Sequence, residues 1–343
     1  MELPIQPGYP AMEARTAERL PEGPGWQYEP KWDGFRCLAF RDGKEVDLRS
    51  KSGQPLARYF PDVAERIARL APKRFVLDGE LVIASEGRLD FEELQLRLHP
   101  AASRVAKLAA AKPASYILFD LLVERGRSLV DLPLAERRPR LEEFVRSFED
   151  EGIHLSPAAR NVVEARSWCE EVGEALDGLI AKRLDEPYRS GDREGAVKWK
   201  RLKTADCAVG GFRYGTNSEL VGSLLLGLYD EEGLLNHVGY TSTISAKDKP
   251  ALTRKLESLR KPPGFTGRAP GGPSRWSTER SGEWEPLAPK LVVEVRFDHV
   301  SGGRFRHGTA LLRWRPDKAP KHCTMDQILP QGSGGIETLL QSA

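Results

Sequence analysis

The chain has 343 residues, with 52 Lys and Arg against 50 Asp and Glu and a formal net charge of +2. Its 40% hydrophobic and 30% charged residues indicate a globular protein large enough for two domains. Because the charge is nearly balanced, any polyanion must bind a local basic patch. The four cysteines form no C-x-x-C pair, which argues against a zinc site or a disulfide framework and favours a reducing cytoplasm. No apolar run approaches a membrane span, and the first ten residues lack the features of a signal peptide.

The first part of the chain mixes predicted strands and helices. Residues Met1–Gly25 form a Pro- and Gly-rich lead-in. A hairpin is predicted from strands at Phe35–Phe40 and Val46–Arg49, followed by a helix at Asp62–Leu70 and a strand at Phe75–Ile83. Further elements are predicted at Tyr116–Val123, Leu134–Phe148, Leu179–Arg183 and Ala196–Leu202, of which only the second is a helix. This mixture predicts an α+β domain over residues 1–203.

After Lys203 the pattern changes to short strands between Gly-rich turns. Strands are predicted at Gly222–Tyr229, Leu234–Tyr240, Leu291–Phe297 and Ala310–Arg315, and one helix at Lys247–Lys261. The Gly-, Pro- and Ser-rich residues 262–281 predict a mobile loop. Short strands with one helix predict a small β-barrel over residues 204–343.

Lys31 begins a K-x-D-G-x-R run that ends at Arg36, and Glu29 stands two residues before it. A lysine amine attacks an electrophile only when it is unprotonated and correctly aimed. A tight turn at Asp33-Gly34 and a cation at Arg36 suit attack on a phosphorus centre. Taken alone, however, such a run is more often a solvated hairpin end.

Later strands of the same domain also carry polar side chains. Glu80 lies in an apolar strand, where a carboxylate is costly unless it is paired, metal-bound or turned to solvent by alternation. Lys198 and Lys200 share one face of their strand by alternation. That face is either a solvated edge or a site with a phosphate between two cations.

In chain order, six segments resemble the motifs of the covalent nucleotidyltransferases. They are Lys31–Arg36 for motif I, Asp78–Leu81 for III, Tyr116–Leu121 for IIIa, Asp177–Lys182 for IV, Val197–Lys200 for V and Arg313–Lys318 for VI. The chain resembles in particular the small ATP-dependent DNA ligases of bacteria, including the ligase module of end-joining proteins. The resemblance implies an N-terminal adenylation (nucleotidyltransferase) domain of antiparallel sheets and helices over residues 1–203. It also implies a C-terminal OB-fold β-barrel over residues 204–343 that binds DNA.

The resemblance implies a reaction in which Lys31 attacks the α-phosphorus of ATP and becomes a lysyl-AMP adduct. AMP then passes to the 5′-phosphate of a nick, and the 3′-hydroxyl displaces it. The implied catalytic residues are Lys31, Arg36, Lys198 and Lys200. Nucleotide contacts are implied for those four and for Glu29, Glu80, Phe119, Lys182, Arg313 and Lys318. Glu80 and Asp177 would hold Mg²⁺ or Mn²⁺, and Arg49, Lys51, Arg304 and Arg306 would contact DNA.

Two segments depart from the family pattern. Motif IV begins with Asp177 where the family usually has Glu, so direct metal ligation by this shorter side chain is open. The run Arg304–Gly308 lacks the usual proline, so Arg304 and Arg306 both remain candidates for the family's first arginine.

The resemblance further implies a monomer acting on nicked double-stranded DNA in the bacterial cytoplasm, at the nucleoid, with no membrane partner. A DNA repair protein such as an end-binding factor is a candidate partner. The second domain would carry motif VI to the pyrophosphate and afterwards grip DNA, with an affinity that falls steeply with salt. The alternatives are an RNA-capping-type guanylyltransferase, an RNA ligase, and a non-enzymatic nick- or single-strand-binding OB protein. A nicotinamide-dependent ligase would need cysteine-zinc modules that this cysteine pattern excludes.

Overall fold

A computed structural model describes residues 1–85, 87–173, 176–271, 283–329 and 335–341. The chain forms two compact units. Unit 1 comprises Met1–Lys200 together with Gln331–Ala343, and unit 2 comprises Arg201–Pro330. The boundary predicted from sequence lay after residue 203 and assigned the last residues to the second domain. The assignment of residues 1–203 to an adenylation domain and 204–343 to a DNA-binding domain stays a prediction.

Unit 1 contains two principal sheets and five helices among the described residues that precede unit 2. The first elements are β1 Arg15–Ala17, β2 Trp26–Pro30, β3 Phe35–Asp42, β4 Glu45–Ser50, α1 Pro61–Arg69, β5 Arg74–Val82, β6 Ala84–Ser85, β7 Arg88–Leu89 and α2 Phe91–Arg97. They are followed by α3 Ala102–Ala111, β8 Ser115–Glu124, β9 Arg127–Ser128, α4 Leu134–Arg146, β10 Ile153–Leu155, α5 Val162–Glu171, β11 Gly178–Arg183 and β12 Ala196–Lys200.

The two sheets of unit 1 share an apolar core. One has the strand order β10-β8-β5-β3-β4, with β9 paired to β8, and the other has the order β1-β12-β11-β2. Ile117 and Phe119 of the first sheet lie in one buried cluster with Leu179 and Val197 of the second. The chain passes from β2 to β3 through Lys31, so the motif I segment lies where the two sheets meet.

Unit 2 is built on one curved sheet. Its elements are β13 Lys203–Tyr214, β14 Val221–Tyr229, β15 Leu235–Thr241, α6 Lys249–Glu257, β16 Glu285–Pro286, β17 Val292–Phe297, β18 Val300–Ser301, β19 Arg304–Phe305 and β20 Ala310–Trp314. The strand order is β15-β14-β13-β17-β20, with β16 paired to β13. A parallel bridge between Thr241 and Thr309 joins the two edges, so the described barrel closes at one corner rather than along a continuous ladder. Two 3-10 helices follow, at Pro320–His322 and Met325–Ile328.

A final helix, α7 Ile336–Gln341, belongs to unit 1. Its Ile336 and Leu339 are buried in the cluster that the two sheets share. The sequence did not predict this helix.

Most predicted elements are confirmed within a few residues. The hairpin is β3–β4, in which Asp42 pairs with Glu45 and the positive φ of Gly43 fits a glycine-containing loop. The predicted loop over 262–281 has turns up to residue 271, and its remainder lies outside the described residues. Among the described residues, no helix is both long and apolar enough to cross a bilayer.

Candidate active site

Lys31 follows β2 directly and forms an ion pair with motif IV. Its backbone N–H donates to the Gly178 carbonyl at 2.9 Å, and its Nζ lies 2.8 Å from the Asp177 carboxylate. Burial lowers the pKa of Lys31, but the Asp177 carboxylate outweighs it, so the pKa is raised above its usual value. The amine is therefore an ammonium in this state and must lose a proton before it can attack.

Gly34 is required by packing rather than by a turn conformation. Its φ is not positive, so no left-handed backbone conformation calls for a glycine here. A Cβ at Gly34 would lie 2.2 Å from the Leu81 carbonyl oxygen and 2.9 Å from Glu80 Cγ. The missing side chain therefore lets the chain at Gly34 pack directly against the strand that carries Glu80.

Glu80 and Asp177 are chemically suited to a divalent cation. In β5, Glu80 pairs in register with Arg36, and burial raises the pKa of its carboxyl to about 8 despite Arg36 and Lys31. Both carboxylates act electrostatically on the Lys31 ammonium. Carboxylate oxygens are hard ligands that fit Mg²⁺ or Mn²⁺, and a bound cation would favour the ionised form of Glu80.

Glu29 is held at both carboxylate oxygens. Gln27 Nε2 donates to Oε1 at 2.8 Å, and Lys182 Nζ lies 2.7 Å from Oε2. Gln27 and Glu29 are both buried and lie on the same face of β2. The Lys182 ammonium also lies 4.6 Å from the centroid of the Phe119 ring. This end of the site thus presents a fixed carboxylate beside an aromatic face.

Arg36 is fixed by a network that the sequence did not reveal. It donates to both oxygens of buried Asp78, at 2.5 and 2.6 Å, and to the Met12 carbonyl at 3.2 Å. Tyr188 donates its hydroxyl to Asp78 at 2.6 Å. The guanidinium lies 4.5 Å from the Phe119 centroid. These contacts join residues far apart in sequence, so no local motif could have shown them.

A cavity in unit 1 brings most of the predicted residues together. Predicted residues that line it are Glu29, Lys31, Arg36, Lys51, Glu80, Phe119, Lys182 and Lys198. Residues not predicted include Met12, Glu13, Trp32, Asp78, Asp120, Arg137, Ile180, Arg183, Glu186 and Tyr188. Ile180 lies beside Lys182 on the four-stranded sheet and could have been found from motif IV, because alternation places both on one face.

The lysines of motif V differ in their position relative to the cavity. Lys198 lines it, and burial together with Lys51, Lys200 and Lys31 lowers the pKa of Lys198. Lys200 pairs in register with Gly178, next to Asp177, and is not among the lining residues. The cluster of cations at this end suits a phosphate group.

The residues predicted to contact a nick are held by neighbouring acids. Arg49 donates to the Asp47 carboxylate, with a shortest distance of 2.6 Å, and to the Gly53 carbonyl at 3.2 Å. Lys51 pairs with Glu13 at 3.0 Å and lines the cavity. A DNA phosphate would compete with both carboxylates.

The cationic residues predicted to bind pyrophosphate or DNA in unit 2 lie in separate places. Arg313 is 65% exposed and pairs with Glu294, whereas Lys318 Nζ lies 2.9 Å from the Asp206 carboxylate. Arg315, which strand alternation places on one face with Arg313 and Asp317, shares that carboxylate. Arg304 donates to His237 Nδ1 at 2.8 Å, and Arg306 donates its backbone N–H to the His299 carbonyl. Burial and Arg304 lower the pKa of His237 to about 3, so its ring is neutral.

Comparisons with known proteins agree with this arrangement. Residues 12–203 match the family described as ATP dependent DNA ligase domain, and residues 217–318 match ATP dependent DNA ligase C terminal region. DNA ligase C2 of Mycolicibacterium smegmatis is 42% identical over 346 residues, covering 96% of each chain. DNA ligase C of Mycobacterium tuberculosis is 40% identical over 345 residues with the same coverage.

Solved structures show the same fold. A structure of a Lig E DNA ligase superposes with a TM-score of 0.56 at 17% identity, covering 89% of this chain and 99% of that one. The predicted fold class, an adenylation domain followed by an OB-fold domain, is confirmed. The predicted enzyme activity is also confirmed, and the guanylyltransferase, RNA ligase and non-enzymatic alternatives are not favoured. The chain belongs to the ATP-dependent DNA ligases, enzymes that use ATP and a divalent metal to seal nicked DNA.

Proposed function

We propose that this ligase works through a covalent AMP adduct on Lys31. The single observation that supports it best is the partly buried Lys31–Asp177 ion pair, placed at the junction of two sheets and beside Glu80. One ammonium proton leaves before the attack, Nζ then forms the new bond to the α-phosphorus of ATP as the bond to the pyrophosphate oxygen breaks, and a second proton leaves Nζ to give the neutral P–N linkage. Asp177 lies nearest to these protons.

The remaining residues of the cavity bind and orient the substrates. Glu29 faces the adenine, Phe119 stacks on it, and Arg36 lies near the ribose and phosphate. Lys198 and Lys200 neutralise the α-phosphate, and Lys182 holds Glu29 in place. Glu80 and Asp177 would hold Mg²⁺ or Mn²⁺, which neutralises phosphate charge when bound.

In the second and third steps the AMP moves to the 5′-phosphate of the nick and is then displaced by the 3′-hydroxyl. Arg49, Lys51, Arg304 and Arg306 are the proposed DNA contacts, and Arg313 and Lys318 the proposed contacts to the leaving pyrophosphate. We further propose that the protein is a monomer that acts at the nucleoid in repair or end joining, with an end-binding protein as partner.

The adduct is tested directly with radiolabelled nucleotide. Wild-type enzyme incubated with α-labelled ATP and Mg²⁺ should keep label on a denaturing gel, and α-labelled GTP should leave none. Lys31→Ala should form no adduct, and Lys31→Arg should also fail, because a guanidinium stays protonated.

Lys44→Ala is the matched control, because Lys44 lies exposed in the β3–β4 loop. Lys44→Ala should retain as much label on the denaturing gel as the wild type. Circular dichroism of each variant establishes folding. Persistence of the label in folded Lys31→Ala would place the nucleophile on another residue.

A further inference from the structure

Asp206 joins the two cations of the C-terminal motif. Its carboxylate lies on β13 and accepts hydrogen bonds from Arg315 Nη1, 2.9 Å from each oxygen. Lys318 Nζ donates to the same carboxylate at 2.9 Å. The Asp206 side chain is 12% exposed, while those of Arg315 and Lys318 are 20% and 24% exposed. One carboxylate therefore determines the position of two charged donors.

The backbone of Asp206 is itself fixed. Its N–H donates to Gln327 Oε1 at 2.9 Å, and Gln327 Nε2 donates back to its carbonyl at 3.1 Å. Asp206 also pairs in register with Glu294 in the sheet. The backbone of Asp206 is therefore held both by the hydrogen bonds of the sheet and by the two hydrogen bonds to the Gln327 side chain. Its carboxylate has little freedom to move as a result.

Asp317 orients the other edge of the Arg315 guanidinium. It accepts from Nε at 3.0 Å and from Nη2 at 2.8 Å. With Asp206 on Nη1, all three nitrogens of Arg315 are oriented by carboxylates. Lys318 uses one of its three N–H donors on Asp206, which leaves others for a ligand. Arg313, by contrast, pairs with Glu294 and is largely exposed.

We propose that Asp206 is a positioning residue that holds Arg315 and Lys318 side by side for the pyrophosphate group of ATP. This rests on the proposed role of the C-terminal cations in the first step. Without an acid between them, the Arg315 and Lys318 side chains would repel each other and sample many rotamers. A shared, immobile carboxylate removes that repulsion and fixes the spacing of the donors, which favours two-point recognition of a polyphosphate. Two acids and two cations sum to zero, so the cluster acts by geometry rather than by net charge.

The reverse of the first step isolates this function. Purified lysyl-AMP enzyme is mixed with inorganic pyrophosphate and Mg²⁺. A pyrophosphate oxygen attacks the α-phosphorus, the P–N bond breaks, Lys31 takes up a proton and ATP is released. Asp206→Ala should raise the half-saturating pyrophosphate concentration roughly tenfold, as expected for loss of preorganised charge-assisted contacts. Sealing of a nick that already carries 5′-AMP should stay within about twofold of the wild type.

Further variants show whether the effect of Asp206→Ala passes through the two cations. Arg315→Ala and Lys318→Ala should each raise the same half-saturating concentration, and Asp206→Ala should add little to the double variant that lacks both. Asp206→Asn, which keeps the shape and one acceptor, should fall between Asp206→Ala and the wild type. Glu285→Ala is the control, because Glu285 lies on β16, which neighbours β13, and pairs with Arg260 instead of the two cations. It should behave as wild type.

The outcomes separate this inference from the proposed function. If Lys31 forms no adduct, the proposed function fails. If the adduct forms and both cation variants weaken pyrophosphate use while the Asp206 variants do not, only the positioning role is overturned. An Asp206→Ala enzyme that uses pyrophosphate better than the wild type would also overturn it, as would equal loss on the pre-adenylated nick.

Discussion

Glu29 shows how a single residue of the site depends on its neighbours. Its carboxylate is buried and its two oxygens are held by Gln27 and Lys182. A buried carboxylate is stable only when it is paired and hydrogen-bonded. Gln27, which does not line the cavity, therefore fixes the orientation in which Glu29 can meet a nucleotide base.

Gln27→Leu should weaken ATP binding with little effect on the chemical step. The substitution removes a hydrogen bond to a charged group, worth roughly 1.5–3 kcal/mol, so KM for ATP in lysyl-AMP formation should rise about tenfold or more. The rate at saturating ATP should stay close to that of the wild type. Rapid-quench measurements over a range of ATP concentrations separate the two quantities.

Arg166→Ala supplies the comparison for Gln27→Leu. Arg166 lies on α5 and does not line the cavity, and its guanidinium pairs with exposed Glu22. Its loss should leave KM within about twofold, since exposed ion pairs contribute little. A Gln27→Leu enzyme with unchanged KM would show that Glu29 does not need this donor.

At the scale of elements, a buried ion pair ties β8 to α4. Arg137 donates to both oxygens of Asp120 at 2.9 Å, and both side chains are almost fully buried. Burial raises the pKa of Asp120, but Arg137 lowers it more, so the net pKa lies below its usual value. The same two elements carry a second pair, Arg140 with Glu124, which is partly exposed.

Arg137→Ala should therefore lower the free energy of unfolding by about 3–5 kcal/mol, because it leaves a buried carboxylate unpaired. Arg140→Ala should cost less than about 1 kcal/mol. Urea denaturation at neutral pH measures both. Similar losses in the two variants would mean that burial does not distinguish these pairs.

The Asp120 pair should also stabilise the fold in a pH-dependent way. Because the folded pKa is depressed, the contribution is present above the unfolded pKa of about 4 and is lost as pH falls below it. The difference in stability between the wild type and Asp120→Asn should therefore shrink in acid.

Which elements the sequence could predict depended on how continuous their apolar residues are. β5 and β8 are buried along almost their whole length and were predicted within a few residues. β13 was missed because Asp206, Gly210 and Gly211 interrupt its apolar pattern. A Cβ at Gly210 would lie 2.7 Å from the Phe265 ring, so this glycine lets an aromatic ring pack on the strand.

Which residues of the site could be predicted depended on whether their signal is local in the sequence. Lys31, Glu80 and Lys198, which line the cavity, could be predicted because each stands in a short run whose chemistry is visible locally. Met12 and Tyr188 were not found, because their contacts with Arg36 and Asp78 form only when distant segments fold together. Long-range hydrogen bonds leave no periodic signal in a single sequence.

For the whole molecule, the last described helix completes the core of unit 1. Ile336 and Leu339 are buried among residues that include Leu20 and Trp32. The Ile336 backbone N–H also donates to the Gly87 carbonyl at 2.9 Å. Unit 2 is thus inserted between two parts of the sequence that fold together.

Ile336→Ala should destabilise unit 1 by about 2–5 kcal/mol through lost apolar burial and a cavity. Hydrogen exchange measured by mass spectrometry should show faster exchange in peptides from β8 and α5 and none of that change in β14. Ile328→Ala is the matched control, because Ile328 is buried in the core of unit 2. Ile328→Ala should give faster hydrogen exchange in β14 and no change in β8 and α5. If the two variants changed hydrogen exchange in the same peptides, the assignment of α7 to unit 1 would be contradicted.

This insertion also sets an order of events on the ribosome. Domains commonly fold from the amino terminus as they emerge. Here the cluster containing Leu20 and Trp32 lacks two of its buried members until residues 336–341 have been translated, after all of unit 2. Unit 2 carries its own core between residues 205 and 328 and can close first. The nascent adenylation unit, although made earlier, should therefore reach full stability later than the unit synthesised after it.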